Sequence, residues 1–386
     1  MNQMDIPQGW KKLKLKDILD EGSKEKVKDI SKYQKLTIKL NFKGMEKAKV
    51  RENMADKRPF YIRKKGEIVI GKQNYFNGSI AILPEELDGG ICSNAIMSFI
   101  TKKDFNNKYV YYMLSDINFI NKRSFFANGT GQKELSEKDF LNFDVIIPRM
   151  EEQEKIVDIL EKIDKIIKKY EEINIITKKM KEAILNSIQS NNIVSLNDLC
   201  EFIKDGTHGS HKDVEDGIPL LSAKDIENGK LRIPDNCRRI SEEDYKKIHK
   251  NFKIKKGDIL LTIVGTIGKT AIVETENKFT LQRSVAIIRP KKYINGKYLY
   301  YYLGTKFYLR QLLFESNESA QSGVYLGSLA KSKVIKLEKD METKFITVLE
   351  ILDRKIEIIT RNIEEYNKLK QGLMQQLLTG KIRVKI

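Results

Sequence analysis

A chain of 386 residues exceeds what one hydrophobic core usually holds, so at least two domains are expected, and a 40% hydrophobic content suffices to build both. Lys and Arg total 71 against 53 Asp and Glu, and the formal net charge of +18 points to a polyanionic partner. No stretch reaches the roughly 18 to 20 uncharged apolar residues of a membrane span, Met1 to Trp10 has no apolar signal core, and Cys92, Cys200 and Cys237 are too scattered for a zinc motif and too few for a disulfide framework, so a soluble, cytoplasmic protein with structural cysteines is expected.

Taken in chain order, the elements are written twice. KKGEIVI, from Lys64 to Ile70, is a Gly-bearing turn feeding an apolar strand, and it recurs as KKGDILL from Lys255 to Leu261. GSIAI from Gly78 recurs as GKTAI from Gly268, and KYVYYML from Lys108 to Leu114 recurs as KYLYYYL from Lys297 to Leu303, each opening a helix after a strand. FDVIIP, ending at Pro148, and SKVIKL, ending at Leu337, are strands that close each half.

A long charged helix follows each half. The first places Ile156, Ile159, Ile163, Ile166, Tyr170, Ile173, Thr177, Met180, Ile184 and Ser187 at alternating three- and four-residue steps, a coiled-coil heptad. The second repeats it with Leu349, Leu352, Ile356, Ile359, Ile363, Tyr366, Leu373 and Leu377, interrupted at Lys370 where Leu369 substitutes, and it stops near Gly380. Each rod of about 40 residues is roughly 60 Å long. The simplest partner of each is the other, antiparallel, although heptads alone leave a parallel pair or self-association open. The expected fold is therefore α+β: two pseudo-repeated globular α+β domains, residues 1–148 and 191–338, separated by two long helices, 149–190 and 339–386, that form an antiparallel coiled coil.

Several segments carry polar chemistry. Gly265-Thr266-Ile267-Gly268-Lys269-Thr270 looks like a phosphate loop, but the pattern needs four residues between its first Gly and Gly-Lys, and position 263 is Ile. A tight turn with Thr266 and Lys269 at its tip is the expectation. His208 and His211 have metal-like spacing in DGTHGSHKD, yet Gly206 and Gly209 make a loop without a third ligand; with Thr207, these histidines are expected in a solvated or DNA-facing loop, and no metal is expected. Lys72, Gln73, Asn74, Tyr75, Lys122, Arg123, Thr130, Gln132 and Lys133 in the first half, and Gln282, Arg283, Arg310 and Gln321 in the second, combine types suited to guanine and adenine edges. No catalytic set is evident. Asn-Pro-Pro-aromatic and Asp-Pro-Pro-Tyr motifs are missing, and the only Pro-Asp, Pro234-Asp235, lacks the acidic-x-Lys pair of a nuclease.

Taken together, these segments resemble the specificity subunits of type I restriction-modification enzymes. Trp10-Lys11-Lys12-Leu13-Lys14-Leu15 is similar to the family's opening strand. Asp205-Gly206-Thr207-His208, Gly217-Ile218-Pro219-Leu220-Leu221 and Asp225-Ile226-Glu227-Asn228-Gly229 resemble the start of its target recognition domain. Ile147-Pro148 with Glu151-Glu152-Gln153-Glu154-Lys155-Ile156 resembles the entry to the central conserved helix, and the run from Lys370 to Lys381 resembles the C-terminal signature. The first half lacks Gly-Thr-His, and Leu337-Glu338 stands where the first half has Ile147-Pro148. The resemblance implies a non-catalytic chain that binds double-stranded DNA at a bipartite site, one half-site per domain. It also implies two docked modification (methyltransferase) subunits and restriction/translocase subunits, with S-adenosylmethionine, ATP and Mg carried by those partners and no cofactor or membrane contact here. The alternative is a coiled-coil scaffold that binds DNA without sequence preference.

Overall fold

The structure is a computed structural model that describes residues 6–48, 58–124, 134–317 and 323–385. It forms two compact units, Met1–Glu171 with Arg361–Ile386, and Glu172–Thr360.

The first unit opens with β1 (Lys11–Lys14), α1 (Leu15–Ile18) and β2 (Leu19–Glu21), and continues through β3 (Ile68–Gly71), β4 (Ile80–Ile82), β5 (Ile96–Thr101), α2 (Asn107–Leu114) and β6 (Asp144–Ile147) into the long helix α3 (Met150–Asn186). The second repeats this order with β7 (Ile193–Ser195), α4 (Leu196–Leu199), β8 (Cys200–Asp205), β9 (Ile259–Thr262), β10 (Thr270–Ile272), β11 (Val285–Pro290), α5 (Gly296–Leu303), α6 (Lys306–Asn317) and β12 (Lys333–Ile335), and enters α7 (Lys339–Leu377). Each half holds a four-stranded antiparallel sheet, ordered β2-β5-β3-β4 and β8-β11-β9-β10. In each half the opening strand pairs with the closing one, β1 with β6 and β7 with β12. The central strands β3 and β9 are apolar and buried along their length because both faces are covered.

The Asn that precedes α2 and α5 caps each helix, Asn106 accepting from the Lys108 and Tyr109 N–H groups and Asn295 from Lys297. Both helices bury the same face, Tyr109, Val110, Tyr112, Met113 and Leu114 in one and Tyr298, Leu299, Tyr301, Tyr302 and Leu303 in the other. Each then anchors a long helix. The Tyr112 hydroxyl donates to Asp164 of α3 at 2.6 Å, the Tyr301 hydroxyl donates to Asp353 of α7 at 2.8 Å, and Lys108 pairs with Glu161 as Lys297 pairs with Glu350. Burial beside a carboxylate raises both phenols above their ordinary range, so they remain donors.

Within the first unit, Lys370 of α7 meets Asp164 of α3 at 2.6 Å and Tyr366 stacks on Tyr170 with ring centres 5.7 Å apart, so the helices run antiparallel there. In the second unit Lys181 of α3 pairs with Asp353 of α7. The α7 seam is the expected one except at its interruption: Lys370 lies half-buried in it, with its ammonium 5.2 Å from the Tyr112 ring centre, and Leu369 is exposed. The α3 seam differs from expectation. Ile156, Leu160, Ile163, Ile167 and Thr177 are buried, whereas Ile166, Ile173 and Met180 are 36%, 41% and 51% exposed. Steps of four then three fit a 3.5-residue repeat as well as three then four. Apolar residues stand at both choices, and the tertiary partner selects Leu160 and Ile167.

The C-terminal segment closes onto the first unit. Arg383 donates through Nε (2.6 Å) and Nη2 (2.8 Å) to the buried Glu152 carboxylate, which also accepts the Trp10 indole N–H at 3.1 Å. Burial pushes the Cys92 thiol up to about 11 and the Cys200 thiol up to about 12, so both stay protonated at pH 8, while Cys237 is half-buried. Native protein treated with a maleimide at pH 8 is therefore expected to label at Cys237 alone, with all three cysteines labelling in denaturant. Peptide mass spectrometry distinguishes this from uniform labelling. Among the described residues no helix is long and apolar enough to cross a membrane.

Candidate nucleic-acid interface

In an antiparallel sheet, loops from alternate ends of successive strands collect on one side. In the second domain Asp205 at the end of β8 pairs with Ala286, Thr262 at the end of β9 pairs with Val285, and Leu261 pairs with Thr270 at the start of β10. The segments after β8, between β9 and β10, and before β11 therefore meet. Those segments contain Thr207, His208 and His211, then Thr266 and Lys269, then Gln282 and Arg283, so the fold gathers seven polar side chains spread over 77 positions of sequence.

Local bonds hold this cluster. Thr207 N–H donates to Leu281 C=O at 2.7 Å, Arg283 N–H donates to Thr207 C=O at 3.1 Å, and Thr207 bridges Gln282 in parallel. Gly206 is required by the close approach, since a methyl group there would come within 2.1 Å of the Leu281 carbonyl oxygen. His208 Nε2 lies 2.6 Å from Asp205 Oδ2; His211 sits between Thr207 Oγ1 at 2.8 Å and Asp244 Oδ2 at 3.3 Å. The histidines thus brace the loop, and no group of three or more His, Cys, Asp or Glu among the described residues is placed to hold a metal ion.

The Gly265–Lys269 segment joins two antiparallel strands, with Thr266 exposed at its tip and Lys269 half-buried at its base, where its N–H donates to Thr262 Oγ1 at 2.9 Å. A phosphate loop would instead lead into a helix N-terminus. Leu309 of α6 packs over Gly268, which puts the exposed Arg310 on a helix bordering this turn.

The first domain collects the equivalent segments. Gly71 at the end of β3 pairs with Ile96 at the start of β5, and Ile70 pairs with Ile80 at the start of β4. Lys72 is mostly covered and pairs with Glu137 at 3.3 Å, the exposed Gln73 donates to Glu134 at 2.8 Å, and Asn74 is exposed, its side-chain oxygen accepting from Asn77 at 3.2 Å.

Two expectations need correction. Tyr75 is fully buried, donates to Leu114 C=O at 2.8 Å and packs edge-on against Phe140, so it belongs to the core rather than the surface. Arg123 lies 3.6 Å from the Phe119 ring centre, donates to the Phe119 and Asp144 carbonyls, and is lowered from its ordinary pKa by burial, so its donors serve the fold. Lys122 beside it is exposed. Thr130, Gln132, Lys133 and Gln321 lie outside the described residues.

The first half has no Gly-Thr-His, and its chain leaves the sheet earlier. Gly22 N–H donates to Ser98 C=O, whereas Gly206 donates to Val285, nearer the start of the neighbouring strand. Gly22-Ser23-Lys24 follows β2 there, with Lys24 paired to Glu21 and raised above its usual pKa by that bond. The signal available in sequence was the acid-Gly-hydroxyl-basic order shared with Asp205-Gly206-Thr207-His208.

The model of the type I restriction modification DNA specificity domain matches twice, over residues 7–178 and 189–368. The MjaVIII type I restriction enzyme specificity subunit of Methanocaldococcus jannaschii is 25% identical over 350 residues, 83% of this chain and 77% of that one. The EcoBI specificity subunit of Escherichia coli is 28% identical over 176 residues, 44% of this chain and 36% of the relative's length. The fold is shared with a chain from a structure of type I R-M complex assembly and conformational transition, at TM-score 0.61 and 16% identity, covering 98% of this chain and all of that one. The type I restriction-modification S subunit from M. genitalium matches at TM-score 0.57 and 15% identity, covering 100% of this chain and 98% of that one. With two domain matches spanning most of its length, this chain belongs to the type I restriction-modification DNA specificity family.

Proposed function

We propose that the chain is the specificity subunit of a type I restriction-modification complex, in which each domain reads one half of a bipartite double-stranded DNA site. The observation that carries this reading is the repeated placement of polar loops at the corresponding end of each domain's own sheet, on a chain of net charge +18. The chain itself performs no chemical step. Two modification subunits dock on it and supply S-adenosylmethionine and adenine methylation, and restriction/translocase subunits bring ATP and Mg. The complex works in the cytoplasm. A scaffold without sequence preference would not need two polar loop clusters built on the same topology.

Co-expression with modification subunits followed by genome-wide mapping of methylated adenines tests the reading. Two short specified elements separated by a fixed run of unread base pairs are expected. A single contiguous motif, or methylation independent of sequence, would overturn it.

A further inference from the structure

Strand register assigns each residue at the reading end of one sheet a counterpart in the other. Ile68 pairs with Phe99 as Ile259 pairs with Ile288, and Gly71 pairs with Ile96 as Thr262 pairs with Val285. One residue further, Lys72 N–H donates to Ala95 C=O and Ile263 N–H donates to Ser284 C=O, both at 2.9 Å. The carbonyls of Lys72 and Ile263 accept in turn from Leu135 at 3.0 Å and Val324 at 2.9 Å. The two frames thus coincide through four independent bonds, and two residues before Ile96 and Val285 stand Asn94 and Arg283.

Both side chains are exposed, and neither has a hydrogen-bond partner among the described residues. Asn94 lines an open polar cavity of about 510 Å³ in which Lys24 and Lys72 are paired with Glu21 and Glu137, while the exposed Lys26 has no carboxylate partner among the described residues and suits a DNA phosphate. Its backbone is fixed by Asn94 N–H donating to Pro59 C=O at 3.0 Å, which leaves the side chain as the free element. Nothing in the sequence around Asn94 resembles Gln282-Arg283, and only the strand pairing brings the positions into correspondence.

We propose that Asn94 and Arg283 are the matched base-reading residues of the two half-sites, Asn94 contacting an adenine and Arg283 a guanine. The assignment rests on the bipartite reading above. An amide can bond an adenine edge twice and a guanidinium a guanine edge twice, each through the major groove.

The test is selection of bound duplexes from a randomised pool by the chain assembled with its modification subunits. Wild type is expected to enrich a two-part motif. Asn94→Ala should relax one adenine of one half-site, with a loss of discrimination of roughly 5- to 150-fold at that base pair and the other half unchanged. Arg283→Ala should relax one guanine of the other half. Asn94→Arg should move the preference at the affected position from adenine to guanine, a gain that a misfolded domain cannot produce, and the untouched half-site reports folding within the same molecule. If wild type enriches a two-part motif while Asn94→Ala leaves both halves intact or weakens all sequences equally, the assignment fails and the bipartite reading stands. If wild type enriches no two-part motif, both fail.

Discussion

Replacing Arg289 by methionine is expected to destabilise the 172–360 unit by about 3–5 kcal/mol, because it strands a buried carboxylate. Asp258 follows the turn of KKGDILL and its side chain is only 2% exposed. It accepts from Arg289 Nε and Nη2, both at 2.7 Å, and from Lys255 N–H at 2.8 Å. Arg289 also donates to Lys253 C=O at 2.6 Å and lies over Phe202, 4.5 Å from its ring centre. Urea denaturation of the variant measures the loss. Asp258→Asn combined with Arg289→Met should recover much of it, since the cost lies in the unpaired charge rather than in the absence of a pair. A loss below about 1 kcal/mol in the single variant would mean that water reaches the carboxylate. At the corresponding place in the first half Glu67 is buried and accepts Ser23 N–H at 3.0 Å, while Ile100 stands where Arg289 does.

DNA binding by the assembled complex should fall steeply with salt. Neutralising six to ten phosphates releases that number of condensed counterions, so raising salt from about 50 to 200 mM is expected to weaken binding by roughly 10³- to 10⁵-fold. The excess of 71 basic over 53 acidic residues supplies the charge. Some lysines near the reading ends are already held by carboxylates, Lys24 by Glu21 and Lys72 by Glu137, and these need to exchange partners on binding. Lys26 has no such partner among the described residues, so Lys26→Ala should reduce the slope of log affinity against log salt by about one while leaving the preferred bases unchanged. A flat response in wild type would sink the electrostatic contribution, and altered bases in Lys26→Ala would move that residue from the backbone to the base edges.

What the sequence determined was whatever repeats locally. KKGEIVI and KKGDILL fold as turn and strand because a glycine turn feeds an apolar run in both, and KYVYYML and KYLYYYL form helices behind an Asn cap in both. The order of domain and helix, the α7 seam and the end of that helix before Gly380, whose φ is +69°, were also legible. The tertiary structure decided everything that depends on which of two equally good local choices finds a partner. Period 3.5 is satisfied by Ile159 or Leu160 and by Ile166 or Ile167, and only the packed neighbours select the second of each. Tyr75 and Arg123 carry polar atoms that read as surface in sequence, yet the Leu114 and Phe119 carbonyls satisfy them within the fold, one from 39 residues away and the other from four residues back. Lys370 breaks the heptad pattern but lies in the seam because Asp164 and the Tyr112 ring meet its ammonium there. Asn94 is an ordinary surface residue in sequence and a counterpart of Arg283 in space, since backbone pairing across strands places it there whatever its neighbours along the chain.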